Sequence, residues 1–161
     1  MAKGLFAAKR ARPDIQPTIA VLTTRVQGPT EGDWKKLIRL MKYLNGTKDL
    51  FLTLAADNLH VVRWYVDVSY AVHPNFKSHT GWVMKMGQGA IQSGSNKQKL
   101  VTRSTCEAEL VGADDASTKI FWTKLFLEAQ GYEVRENILY QDNKSTILLL
   151  NNGKASSGKR T

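Results

Sequence analysis

Three acidic residues carry the chemistry most readily read from this chain. Asp67 ends the run Val61-Val62-Arg63-Trp64-Tyr65-Val66-Asp67, Glu109 sits in Ser104-Thr105-Cys106-Glu107-Ala108-Glu109-Leu110, and Asp142 follows Ile138-Leu139-Tyr140-Gln141. Each stands where an apolar strand or helix would hold a carboxylate at its edge. Oxygen-only clusters of this kind suit a hard cation, Mg²⁺ or Mn²⁺. Two such cations a few ångströms apart clamp the attacking and leaving oxygens of a phosphodiester, so no histidine or serine nucleophile is needed. Each acid also has an ordinary structural role open to it. A strand-end Asp is commonly a turn residue, an early-helix Glu a partner of the helix dipole, and Asp142 could cap the helix that follows it.

The elements that must position these acids are readable from periodicity. Residues 14–26 read as a helix, with Ile15, Ile19, Leu22 and Val26 on one face, Pro17 tolerated in the first turn, and Gly28-Pro29 as the break. Thr30 opens a second helix with Asp33 in its first turn. Trp34, Leu37, Ile38, Met41 and Leu44 form its apolar stripe, and Lys35, Lys36, Arg39 and Lys42 its basic side. Residues 50–54 and 61–68 read as a hairpin, 80–86 as a further strand, and Gly87-Gln88-Gly89 turns that strand into 90–93. Residues 104–130 are strongly helical, capped by Ser104 or Thr105. A strand over 137–141 and a short helix over 143–150, ended by Asn151-Asn152-Gly153, complete the chain. The expectation is a mixed α/β (α+β) fold in the order β-β-β-α-β-α, with a βαβ crossover and an N-terminal helical and hairpin extension. Trp64, Trp82 and Trp122 are expected in the core, and Ser156 to Thr161 as a frayed tail.

The bulk composition fits this architecture. With 161 residues, 42% hydrophobic and 23% charged, the chain can bury one full core. No run approaches the roughly 18 apolar residues of a membrane span. The single Cys106 excludes an internal disulfide and a cysteine-rich zinc site, and fits a reducing compartment. An intracellular protein, cytoplasmic or nuclear, is expected. The basic, acid-free residues 1–13 leave organelle import open. The net charge of +9 favours a polyanionic partner, nucleic acid before anionic membrane. The excess is spread over the body: residues 1–60 hold ten Lys/Arg against five Asp/Glu, and residues 61–161 thirteen against nine. Lys97, Lys99 and Arg103, just before the Glu109 helix, are the preferred phosphate contacts. Glu107 points to a different helix face from Glu109, Asp114 and Asp115 read as solvated helix charges, and His73 and His79 as exposed loop residues beside Asp67.

At the same residues the chain resembles a known family. The motifs are Tyr65-Val66-Asp67-Val68-Ser69, Lys77-Ser78-His79-Thr80-Gly81, Ser104 to Leu110, and Gln141-Asp142-Asn143-Lys144-Ser145. In this order they resemble the ribonuclease H domain of copia-type retrotransposon polyproteins, and Ser156 to Thr161 is similar to that family's sequence near its C-terminus. Residues Lys9 to Ile15 and Trp34 to Leu44 resemble the end of the reverse transcriptase that precedes this domain. The resemblance implies a ribonuclease H-like sheet over 61–161 behind a reverse-transcriptase-derived segment over 1–60. It also implies metal-dependent hydrolysis of the RNA strand of RNA–DNA hybrids, with Asp67, Glu109 and Asp142 as the Mg²⁺ or Mn²⁺ ligands. The order Asp-Glu-Asp fits ribonuclease H better than the related integrases, whose glutamate comes last. Three departures accompany it. Ser69 stands where the family carries an acid, Cys106 where threonine or serine is common, and a fourth metal-site residue is expected beyond Thr161. The implied alternatives are an active nuclease, which is part of a larger polyprotein or assembly, and a catalytically inactive or domesticated remnant that binds nucleic acid or docks through the basic helix 30–45.

Overall fold

The computed structural model describes residues 1–152, so the expected Gly153 stop and the Ser156–Thr161 tail lie outside the described residues. The chain opens with α1 (Ala2–Arg10), a 3₁₀ turn (Pro13–Ile15), α2 (Gln16–Thr23) and α3 (Glu31–Gly46). It continues with β1 (Val61–Ser69), β2 (His79–Met86), β3 (Ala90–Lys97), α4 (Thr105–Ala129), β4 (Glu136–Tyr140) and α5 (Lys144–Asn152). The strands form one mixed sheet in the order β3-β2-β1-β4. β1 pairs antiparallel with β2 and parallel with β4, and the β3–β2 pair is antiparallel. A mixed α/β fold and the sequential order β-β-β-α-β-α are therefore observed.

Alternation along β1 explains the layers. Val62, Trp64, Val66 and Val68 are buried on one face, while Tyr65, Asp67 and Ser69 face the other way. The buried face joins Trp82, Met84, Ala116 and Val134 in one core under α4. Trp64 and Trp82 meet at 5.8 Å between ring centroids, and the Trp64 indole N–H donates to the Asn137 side chain at 3.0 Å. Their bulk leaves room only for small residues opposite, and α4 presents Ala108, Gly112, Ala113 and Ala116 to the sheet. Trp122 is correspondingly displaced outward: it is 61% exposed and stacks on Phe126, contrary to the expected core position.

The N-terminal helices hold a second core of Ala8, Ile15, Ile19, Leu22 and Leu40. Within residues 1–13, read from sequence as a basic segment, Ala2–Arg10 form α1. The expected helix over 14–26 is shortened to α2 behind the 3₁₀ turn. α3 starts as expected, with Thr30 and Asp33 forming a reciprocal capping box. Its buried stripe is Leu37, Leu40 and Leu44, whereas Trp34, Ile38 and Met41 are exposed, because α2 covers only one side of the helix. Arg12 ties the α1–α2 junction to the end of α3. It donates to Asp14 at 2.7 Å, to the Thr47 carbonyl at 3.0 Å and to the Thr47 hydroxyl at 2.8 Å, and it lies over the Tyr43 ring.

The expected 50–68 hairpin does not form. Both edges of β1 are taken, by β2 and β4, and residues 50–54 are not strand. That segment instead lies over the β2–β3 turn, joined by the single bridge Ala55–Gln88. Gly87 and Gly89, both at φ +79°, permit this approach; a Cβ on Gly87 would stand 2.6 Å from the Ala55 carbonyl oxygen.

Removal of the Arg12 fork should loosen the N-terminal unit. Arg12→Ala is expected to cost about 1.5–3 kcal/mol, the range for hydrogen bonds to charged groups, read as a lowered midpoint in chemical denaturation.

Candidate metal centre

The three acids arrive from three elements. Asp67 lies two residues before the end of β1, on the face opposite α4. Glu109 is in the first turns of α4. Asp142 lies two residues past β4, before α5. One carboxylate oxygen of each lies within 4.8 Å of the other two. That spread is close to the ~4.2 Å across one octahedral Mg²⁺ shell, whose ligands stand at about 2.1 Å. The helix-cap alternative for Asp142 is not what is observed. The Asn143 side chain caps α5 by accepting from the Thr146 amide at 3.1 Å, which leaves Asp142 in the cluster.

Glu109 is the buried member, while Asp67 and Asp142 are exposed. Its depth comes from the closeness of α4 to β1. A Cβ on Gly112, one turn further along, would sit 2.5 Å from Val68 Cγ2. The buried Gln98 amide clasps the same corner, donating to the Thr80 hydroxyl and to the Ala108 carbonyl, both at 2.9 Å. Gln141 orients the carboxylate: its side-chain amide donates to Glu109 Oε2 at 3.0 Å while its oxygen accepts from the Asn143 amide at 3.0 Å. Gly112, Gln98 and Gln141 were given no role by the sequence reading. Gln141 adjoins Asp142 in the quoted motif, and its adjacency was the available signal.

Burial pushes the Glu109 carboxyl above its ordinary range, the charges of Asp67 and Asp142 raise it further, and the bonds from Gln141 and the Val68 backbone act against this. Among the described residues no Lys, Arg or His forms an ion pair with any of the three. An all-carboxylate set with one buried member and no protein counter-charge fits a divalent cation.

The other site residues separate. Lys97 ends β3, whereas Lys99 and Arg103 are exposed in the following loop. Glu107 takes part in capping α4: its amide donates to Ser104 at 3.1 Å and its carboxylate accepts from the Arg103 amide at 2.7 Å. Asp114 and Asp115 are exposed as expected. His73 and His79 are not free loop residues. They are half-buried and bonded to each other at 3.0 Å, and His79 reaches the Ser95 hydroxyl at 2.7 Å.

The chain is 31% identical over 149 residues to the retrovirus-related Pol polyprotein from transposon TNT 1-94 of Nicotiana tabacum. It is 29% and 30% identical, each over 143 residues, to those from transposons RE2 and RE1 of Arabidopsis thaliana. The chain is homologous to a segment of transposon Pol polyproteins. The alignments cover 92% and 88% of it, and it spans only about a tenth of those relatives' length, 11% and 10%. No protein-family profile matches the chain, and no solved structure does. No helix among the described residues is long and apolar enough to cross a membrane.

The raised Glu109 carboxyl sets a pH dependence for the cation-free protein. The folded state holds this proton to higher pH than the unfolded chain, so stability falls as pH rises from the ordinary glutamate range through the higher folded value, and stays reduced above it. Glu109→Gln removes that loss. Thermal melts with chelator at stepped pH should show the variant overtaking the wild type as pH rises; parallel profiles would contradict the assignment.

Proposed function

We propose that this is a retroelement-derived ribonuclease H-like unit that hydrolyses the RNA strand of RNA–DNA hybrids at Asp67, Glu109 and Asp142 with Mg²⁺ or Mn²⁺. The observation that carries the reading is the convergence of three acids, in the order Asp-Glu-Asp, from β1, the first turns of α4 and the β4–α5 loop. The mixed sheet and the homology to transposon Pol polyproteins support it. In this reading residues 1–60 derive from the end of a reverse transcriptase and residues 61–161 are the ribonuclease H-like part.

A bound divalent cation would supply the Lewis acidity and charge neutralisation for phosphodiester hydrolysis. The chain's own residues fix where that happens. Glu109, held by Gln141, is the rigid ligand, and the exposed Asp67 and Asp142 leave the opposite side open to substrate. Lys97, Lys99 and Arg103 are proposed to meet phosphates.

A second reading, a non-catalytic nucleic-acid-binding or assembly subunit of a larger polyprotein, draws on the exposed Trp34, Ile38 and Met41 of the basic helix α3. Cleavage of a labelled RNA–DNA hybrid decides between them. The wild type should cut with Mg²⁺ or Mn²⁺, and Asp67→Asn should slow the rate by about 100-fold or more, the equivalent of several kcal/mol. Absence of metal-dependent cleavage in the wild type would favour the second reading.

A further inference from the structure

Two grooves border the cavity that Asp67 and Asp142 line, one sharing Gln16 and Ser95 with it and the other Pro17, and the two have His73, His79, Lys97 and Thr24 in common. One continues between the β1–β2 loop and the N-terminal helices, where Arg25 of the α2–α3 connection and Lys36 of α3 line it. The other runs along the edge strand β3, between Lys9 and Arg10 of α1 and Lys119 of α4. Among the described residues no Asp or Glu lines either groove. In a chain with 14 acids, that is a sorted surface rather than a scattered excess of lysine.

Strand register ties this basic track to the acids. Asp67 pairs with Gly81, and Gly81 with Ser95; the next row on the same face is Ser69, His79 and Lys97. His79 and Lys97 therefore stand two strand residues, about 7 Å, along from the Asp67 row. The β1–β2 loop is built to hold His73 there. Ala71 (φ 51°) and Phe76 (φ 57°) adopt left-handed backbone without being glycine, and the buried Ser78 hydroxyl accepts from the Ala71 amide at 3.0 Å. The cations have little else to bind. Arg25 and Lys36 reach Asp33 only at 4.0 Å and 3.9 Å, and Lys97 has no ion pair among the described residues.

We infer that these joined grooves are the binding track for the phosphodiester backbone of a nucleic-acid strand, and that the N-terminal helices supply one wall of it. The inference rests on the nucleic-acid reading of the carboxylate site and gives residues 1–60 a direct part in it. The lysines and arginines provide the charge. Burial pushes both histidines below their ordinary range, so at neutral pH they serve as neutral hydrogen-bonding groups. Ser69, at the position where the resemblance leads one to expect an acid, keeps the junction between track and cluster free of negative charge.

The test separates binding from cleavage. Fluorescence anisotropy with a labelled RNA–DNA hybrid, and with the matching single-stranded RNA and DNA, is measured on the full chain in chelator. Arg25→Glu/Lys36→Glu and, separately, Lys97→Glu should each weaken binding about tenfold, and the double variant should make the log–log salt dependence shallower by about two phosphate contacts. Lys42→Glu/Lys48→Glu, with the same charge change as the double variant but outside both grooves, should bind nearly as the wild type. Arg25→Gln/Lys36→Gln, checked by circular dichroism, covers a folding failure of the charge reversal and should show the same loss in smaller measure. Asp67→Asn serves only as the cleavage control. If it cleaves as fast as the wild type, the nuclease reading falls and the track stands. If the groove variants bind no worse than the Lys42/Lys48 control on all three probes, the track is overturned whatever the cleavage result.

Discussion

The close approach of α4 to β1 is the constraint on which the site depends. Gly112 lets the helix settle on Val68, the small Ala116 packs in the core with Trp64 and Trp82, and Gln98 pins its first turns to β2. Glu109 is thereby carried into a buried position beside Asp67 and Asp142. The cation-free fold then buries one carboxyl and sets two more beside it without a counter-charge, and the proton affinity of Glu109, raised first by burial and then by the charges of Asp67 and Asp142, is the local sign of that cost. Core packing and site geometry are one arrangement: the contact that closes the hydrophobic core also buries the Glu109 carboxylate beside Asp67 and Asp142.

A second consequence follows from where the charges went. Asp67 stands on one row of the outer sheet face, Glu109 on α4 and Asp142 in the loop beyond β4, and the lysines and arginines line grooves that begin one row from Asp67. The N-terminal helices are part of that division. Their own core and the Arg12 fork make them a stable wall against the sheet, and Gln16 joins them to the Ser93 backbone of β3 at 3.3 Å. This contact occupies the edge strand β3 at Ser93.

Much of this was legible in the sequence because it follows from short-range pattern. Alternation in 61–68 marked β1 and the face on which Asp67 stands; the Ser104 cap and the apolar run marked α4; Thr30 and Asp33 marked α3. What failed was decided by neighbours distant in the chain. Residues 50–54 have strand-like composition, but β4, which begins only at Glu136, takes the edge of β1 that a hairpin would have used. Trp122 and Trp34 look like core by type, yet the core had already been filled by Trp64 and Trp82 in one case and by Leu37 and Leu40 in the other. His73 and His79 looked like solvent-facing loop residues because their mutual bond depends on a loop conformation held by Ser78. The three acids were visible individually, while the orienting roles of Gln141 and Gln98 required the fold.

The central claim, that Asp67, Glu109 and Asp142 form a divalent-cation site, is most directly tested by titrating the full chain with Mn²⁺ and following the electron paramagnetic resonance of the free ion. The account predicts saturable loss of the free-ion signal, reversed by excess Mg²⁺ and abolished in Asp67→Asn/Asp142→Asn. A wild-type titration indistinguishable from that of the double variant would contradict it.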